Sequence, residues 1–127
     1  MDESSLAAFD RESYLSLATF RRDGRAVETP VWFAAHAGKL YVFSEGTSGK
    51  VKRLRANPRV RIAACNVRGK LKGEWLEGTG RRVDDAGTVQ AAYEALLRKY
   101  PVQMRITNFL SRLSGRIGRR AILELEV

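Results

Sequence analysis

Tyr14-Leu15-Ser16-Leu17-Ala18-Thr19-Phe20, followed by Arg21-Arg22-Asp23-Gly24-Arg25 and then Ala26-Val27-Glu28-Thr29-Pro30-Val31-Trp32-Phe33-Ala34, decides how this chain folds. The first seven residues alternate and are rich in strand formers. Asp23-Gly24 marks a tight turn, because glycine supplies the positive φ that a hairpin connection needs. The run 26–34 reads as the returning strand, interrupted by Pro30. A proline inside a strand belongs on an edge, at a bulge, or where a ladder hydrogen bond is absent. His36-Ala37-Gly38-Lys39 turns the chain again, and 40–44 makes a third strand.

Outward from this core the period changes and changes back. Leu6 and Phe9 predict a short helix over 5–12, with Ser4 and Ser5 able to cap it. Val51 and Leu54 share one face of a short basic helix that Asn57-Pro58 stops. Alternation returns over 59–66, and a fifth strand is expected over about 74–83. Asp84 and Asp85 cap a helix with a stripe of Val89, Tyr93, Leu96, Leu97 and Tyr100. After Pro101 a second amphipathic helix carries Ile106, Phe109, Leu110 and Leu113, a stripe for packing against the sheet or a partner subunit, although Arg105, Arg112 and Arg116 beside it would also suit an anionic membrane surface. Gly115 and Gly118 break it, and 120–127 alternates as a sixth strand. Six short strands in mostly antiparallel order predict a closed or nearly closed barrel, mainly β with flanking helices.

The chain has 127 residues and fits one domain over 1–127, with enough length to bury a core. Its 23 Lys and Arg against 14 Asp and Glu give +9, a balance that raises nucleic acid as a partner. The basic runs lack interleaved aromatics and any reader motif, so no nucleic acid is expected. One cysteine, Cys65, excludes an internal disulfide and a Cys-rich zinc site. A single histidine, His36, excludes histidine metal clusters, and no metal is expected. The acidic, polar start and the lack of any run of about 20 apolar residues predict a cytoplasmic protein without a membrane span.

The chemistry concentrates in Ser44-Glu45-Gly46-Thr47-Ser48-Gly49-Lys50. A strand ends, a loop rich in glycine and hydroxyls follows, and a helix opens with a lysine. Free N–H groups, the helix dipole, hydroxyls and a cation are the parts of a phosphate cradle. The spacing is not that of a Walker loop. The same parts also make an ordinary turn in which Ser48 caps the helix. A second element is Thr29-Pro30-Val31-Trp32, where an aromatic beside a proline can wall a planar ring or simply fill a core. The hairpin of the second and third strands would bring the two elements together. Tyr14, Tyr41 and His36 are available proton donors that read more naturally as structural, and no catalytic residue is assigned.

The segments 14–19 and 24–33, with Ser48-Gly49-Lys50-Val51-Lys52-Arg53-Leu54-Arg55-Ala56-Asn57-Pro58-Arg59-Val60, resemble the pyridoxamine-phosphate-oxidase-like split β-barrel superfamily. Within it the chain is most similar to the PPOX-class coenzyme F-420-dependent oxidoreductases. Gly73-Glu74-Trp75-Leu76-Glu77-Gly78 and the segment 103–115 extend the likeness over nearly the whole chain. The resemblance implies a six-stranded antiparallel split barrel and a homodimer with the cofactor at the subunit interface. It implies that Ser48 and Lys50, next to Ser44 and Gly49, hold the cofactor phosphate, with Lys52 or Arg53 nearby. Thr29, Pro30, Val31 and Trp32 would line the deazaflavin ring, and Ala64 and Cys65 could close its other side.

The implied reaction is hydride transfer between F-420 and a small organic acceptor. FMN binding and cofactor binding without turnover are the alternatives. F-420 carries a phosphodiester and a polyglutamate tail, so a groove with Lys50, Lys52, Arg53 and Arg55 would attract it. FMN has a terminal phosphate only and needs less of that charge. Haem, bound by some split-barrel relatives, is disfavoured by the lone His36 in an expected turn.

Overall fold

The computed structural model describes residues 1–46, 48–115 and 120–127. The hydroxyl of Thr47, the Gly118 break and Arg116 and Arg119 of the Arg-rich tail lie outside them. Helix α1 (Glu3–Asp10) leads into β1 (Tyr14–Phe20), β2 (Ala26–Val31), β3 (Phe33–His36) and β4 (Lys39–Glu45). Then come α2 (Gly49–Ala56), β5 (Arg59–Cys65), β6 (Leu76–Arg82), α3 (Ala86–Lys99), α4 (Pro101–Leu113) and β7 (Arg120–Glu126). The strands form one sheet in the order β2-β1-β5-β6-β7-β4-β3, every pairing antiparallel.

Two expectations are corrected. The sheet has seven strands rather than six, because the run 26–34 divides at Trp32 into β2 and β3. The barrel is not closed. β2 and β3 are its opposite edges, and Trp32 alone carries the chain from one to the other. The cause lies in Pro30 and its neighbours: β2 pairs only with β1, so its outer side is the edge on which a proline is tolerated. The result is a split barrel whose seam runs through Trp32.

Local signals explain the rest. Between β3 and β4, Ala37 (φ 51°) and Gly38 (φ 81°) both take left-handed φ, the requirement of a two-residue hairpin turn. His36 therefore ends a strand and lies half-buried against Tyr41, at 6.2 Å between ring centroids. Asp2 caps α1, accepting from Ser5 N at 2.7 Å, and Asp85 caps α3, accepting from Thr88 N at 2.7 Å.

Each face of the sheet covers its own core. On one side Leu15, Leu17, Phe33, Val42, Ile62 and Leu123 meet Val51 and Leu54 of α2. On the other Ala34, Tyr41 and Ile122 meet Ala92, Leu96 and Tyr100 at α3. Buried Glu124 accepts from Tyr41 Oη at 2.9 Å and pairs with Lys39 and Arg81. Burial pushes its carboxyl up, but these three partners outweigh it and hold the group below the ordinary range.

Helix α4 departs from the expected packing on the sheet. Met104 is buried and Thr107, Asn108 and Ser111 are half-buried, whereas Ile106, Phe109, Leu110 and Leu113 are exposed. The polar side faces inward and the apolar stripe faces out. Leu97 of the preceding stripe also stays at the surface.

Candidate cofactor cleft at the split in the barrel

At the seam lies a cleft of about 240 Å³. Its wall is Pro30, Val31 and Trp32 where the edge strand ends, and Phe43, Ser44 and Glu45 where β4 ends. Tyr14 and Lys50 complete the lining. The two sides are joined by a backbone hydrogen bond, Phe43 N–H to Trp32 C=O at 3.2 Å. Trp32 is fixed from behind: its indole stacks on Tyr100 at 5.6 Å and 21°, with Phe43 at 6.2 Å. The Tyr100 hydroxyl in turn accepts from Phe33 N at 3.3 Å and donates to Ser13 C=O at 2.8 Å. Burial pushes that phenol up to about 12, so it stays a donor at neutral pH. Tyr100 thus positions the Trp32 wall through both its ring and its hydroxyl.

The other end of the cleft is the start of α2. Ser48 sits at the N-cap with extended backbone, yet its side chain makes no cap hydrogen bond. Its Oγ pairs instead with Ser44 Oγ at 3.1 Å. The expected Ser48 cap is therefore absent, and among the described residues no side chain accepts from the first-turn N–H groups, the donors an anion would use. Gly49 makes a close approach possible. A Cβ there would lie 2.6 Å from Arg53 Nη1, so the bare glycine lets the guanidinium fold over the helix start. Arg53 Nε donates to Thr19 Oγ1 at 2.7 Å. Its diagonal neighbour on the same strand face, Thr29, has a buried Oγ1 without a partner.

The electrostatics are one-sided. Among the ion pairs of the described residues none involves Lys50, Lys52, Arg53 or Arg55. Burial, and then the neighbouring Arg53, push the Lys50 ammonium below its ordinary range. Burial, and then Arg21, do the same to Arg53. Cations that repel one another beside uncapped amides are relieved by an anion. An unpartnered hydroxyl, a glycine cradle and unpaired cations together fit a phosphate-bearing cofactor. Replacing Gly49 by alanine is expected to push Arg53 aside, lowering affinity for such a ligand while stability stays within about 1 kcal/mol. Paired ligand titrations and denaturant midpoints check this.

Of the residues singled out from sequence, the cleft gathers Pro30, Val31, Trp32, Ser44 and Lys50. Ser48 reaches it through Ser44 Oγ, Gly49 precedes the lining Lys50, and Arg53 and Thr29 lie further back, outside the lining. Lys52 is exposed on α2 and outside the lining. Ala64 and Cys65 lie on β5, with Cys65 buried opposite Tyr14, and neither lines the cleft. Burial pushes the Cys65 thiol up, as for an inert core cysteine. Phe43 and Glu45 were not legible as lining residues, because only the β3–β4 register turns them to the seam. Tyr14, a proton donor by residue type, is placed here by strand pairing.

This arrangement can bind a flat ring against Trp32 and an anion at α2. Over residues 1–127 the sequence matches the family described as pyridoxamine 5'-phosphate oxidase. The chain belongs to that family. Solved structures share the family's fold at low identity. A conserved hypothetical protein of Mycobacterium tuberculosis, Rv2991, is 22% identical with a TM-score of 0.71, over 98% of this chain and 79% of that one. A FAD-binding protein of Mesorhizobium loti is 19% identical with a TM-score of 0.66, over 100% and 88%. HutZ, a haem storage protein of Vibrio cholerae, is 16% identical with a TM-score of 0.66, over 98% and 88%. No curated protein matches the sequence.

Proposed function

We propose that this chain is a cytoplasmic oxidoreductase, one cofactor-binding domain over 1–127, that uses coenzyme F-420 to reduce a small organic acceptor. The observation that carries the reading is the start of α2, with no acid in its first turn and no side-chain cap from Ser48, opening onto the Trp32 seam. Lys50, Arg53 and the α2 amides would hold the phosphodiester, and Lys52 and Arg55 further along would attract the anionic tail. Pro30, Val31 and Trp32 would wall the ring, with the orphaned Thr29 hydroxyl behind them. When bound, the cofactor supplies hydride transfer, and the protein supplies position and electrostatics.

FMN is the second reading, since a terminal phosphate also suits the cradle and the Mesorhizobium loti relative is described as FAD-binding. Non-catalytic cofactor binding is the third, as HutZ is described as a haem storage protein. Against a histidine-ligated haem stands the position of His36, which ends β3 and does not line the cleft. We further propose a homodimer in which the second copy closes the open side of the cleft.

The depressed Lys50 sets a pH dependence. An anion favours its charged form, so binding takes up a proton wherever free Lys50 has begun to lose one. Affinity is therefore expected to hold at neutral pH and to fall as pH rises through the lowered Lys50 range, before an ordinary lysine would titrate. A pH series of fluorescence titrations reads it. Turnover is tested by steady-state oxidation of reduced F-420 with a panel of quinone-like and unsaturated acceptors. Acceptor-dependent oxidation supports the enzyme, and tight binding without it supports a carrier.

A further inference from the structure

The charge of this chain is concentrated where the cofactor reading does not use it. Residues 95–123 contain no Asp or Glu but hold seven of the 23 Lys and Arg residues, so they contribute +7 against +9 for the whole chain. Two of these cations are absorbed internally: Lys99 pairs with Asp10 at 3.2 Å, and Arg120 donates to Asn108. Arg98, Arg105 and Arg112 are exposed and form no ion pair with the other described residues.

Helix α4 runs through the middle of this segment with its polarity inverted. Val102, Ile106, Phe109, Leu110 and Leu113 recur at i, i+4, i+7, i+8 and i+11, so they form one stripe. Each is between 55% and 71% exposed. Arg105 and Arg112, about two helical turns apart, flank that stripe on one side. A soluble surface does not ordinarily leave so continuous an apolar row uncovered. A second copy whose two-fold axis passed through α4 would set acid-free α4 against acid-free α4, like charge on like. An anionic bilayer offers what the face lacks, acyl chains for the stripe and phosphates for the arginines. No helix of the described residues is long and apolar enough to cross a membrane, and at 13 residues α4 suits an in-plane position.

We infer that α4 docks in the plane of an anionic membrane surface, its stripe among the acyl chains and Arg105 and Arg112 among the headgroups. This stands independently of the cofactor reading. It has a geometric consequence: Leu110 and Ser111 also line a cleft of about 240 Å³ with Phe43, Ser44 and Glu45, residues shared with the seam cleft. Docking would set the mouth of that neighbouring cleft at the lipid surface.

The test is sedimentation of the full chain with phosphatidylcholine vesicles containing phosphatidylglycerol, and with pure phosphatidylcholine. The protein is expected to bind the anionic vesicles, to ignore the neutral ones, and to release as salt is raised. Arg105→Glu with Arg112→Glu should lower partitioning about 25-fold or more, at about fivefold per cation. Phe109→Glu should abolish sedimentation and leave thermal unfolding unchanged, because the side chain lies outside both cores. Phe109→Trp should shift its emission to the blue on anionic vesicles only. Three results would overturn the inference: no sedimentation at low salt, equal sedimentation of Phe109→Glu and wild type, or a drop in native mass with Phe109→Glu, which would assign the stripe to a second copy.

Discussion

Replacing Lys50 and Arg53 together by alanine is expected to lower affinity for F-420 at least about 100-fold. Each contributes a charge-assisted hydrogen bond, worth about 1.5–3 kcal/mol, and about 1.4 kcal/mol is tenfold in affinity. Neither cation has a carboxylate partner among the described residues, so removing them strands no buried acid. It also removes their mutual repulsion, which offsets part of the cost, about 1–3 kcal/mol, of leaving the buried Thr19 hydroxyl without its Arg53 donor. Lys52→Ala provides the contrast, because its side chain lies outside the cleft and acts only through the long-range field. Its effect should be small and vanish above the salt concentration at which the Debye length falls to a few ångströms. Fluorescence titration of the variants at two ionic strengths reads both. An equal loss from Lys52→Ala would mean that the helix attracts the anion without holding it at Lys50.

Phe33→Ala is expected to destabilise the protein by about 3–5 kcal/mol, the range for removing a buried aromatic ring. Phe33 has no exposed surface and follows Trp32 directly across the seam. Its ring meets Phe9 edge-on at 5.6 Å and carries Lys99 Nζ 3.6 Å from its centroid. Its backbone N–H is the one that donates to the Tyr100 hydroxyl. The cavity would thus loosen α1, α3 and the Trp32 stack at once. Domains of this size are stable by about 5–15 kcal/mol in total, so the loss is a large share. The thermal midpoint should drop by about 10–20 °C. Phe33→Leu should cost less, since it keeps most of the volume. If Phe33→Ala melted like wild type, Phe33 would not be the anchor of the seam.

The elements were legible where local chemistry decides them. Alternation marked β1, β4 and β5, Gly38 marked the turn before β4, and Asp85 marked the start of α3. The split was not legible, because nothing near Trp32 says that the strand before it and the strand after it lie at opposite edges of one sheet. That is a long-range property of the closing sheet. The period of α4 was legible and its direction was not: spacing shows that Ile106, Phe109, Leu110 and Leu113 share a face, but not which face the fold covers. The site divides in the same way. Pro30, Trp32, Ser44 and Lys50 stood out by residue type and spacing. Phe43 and Glu45 reach the cleft only through strand register, and the role of Gly49 appears only once Arg53 is seen folding over it.

The central claim is that the α2 cradle and the Trp32 seam together hold an anionic deazaflavin. Fluorescence titration of the wild-type protein with F-420 and with FMN, at low ionic strength, tests it most directly. The expected result is saturable binding of F-420, weaker binding of FMN, and loss of affinity for F-420 as salt is added. Binding of neither cofactor, or tighter binding of FMN with no dependence on salt, would contradict it.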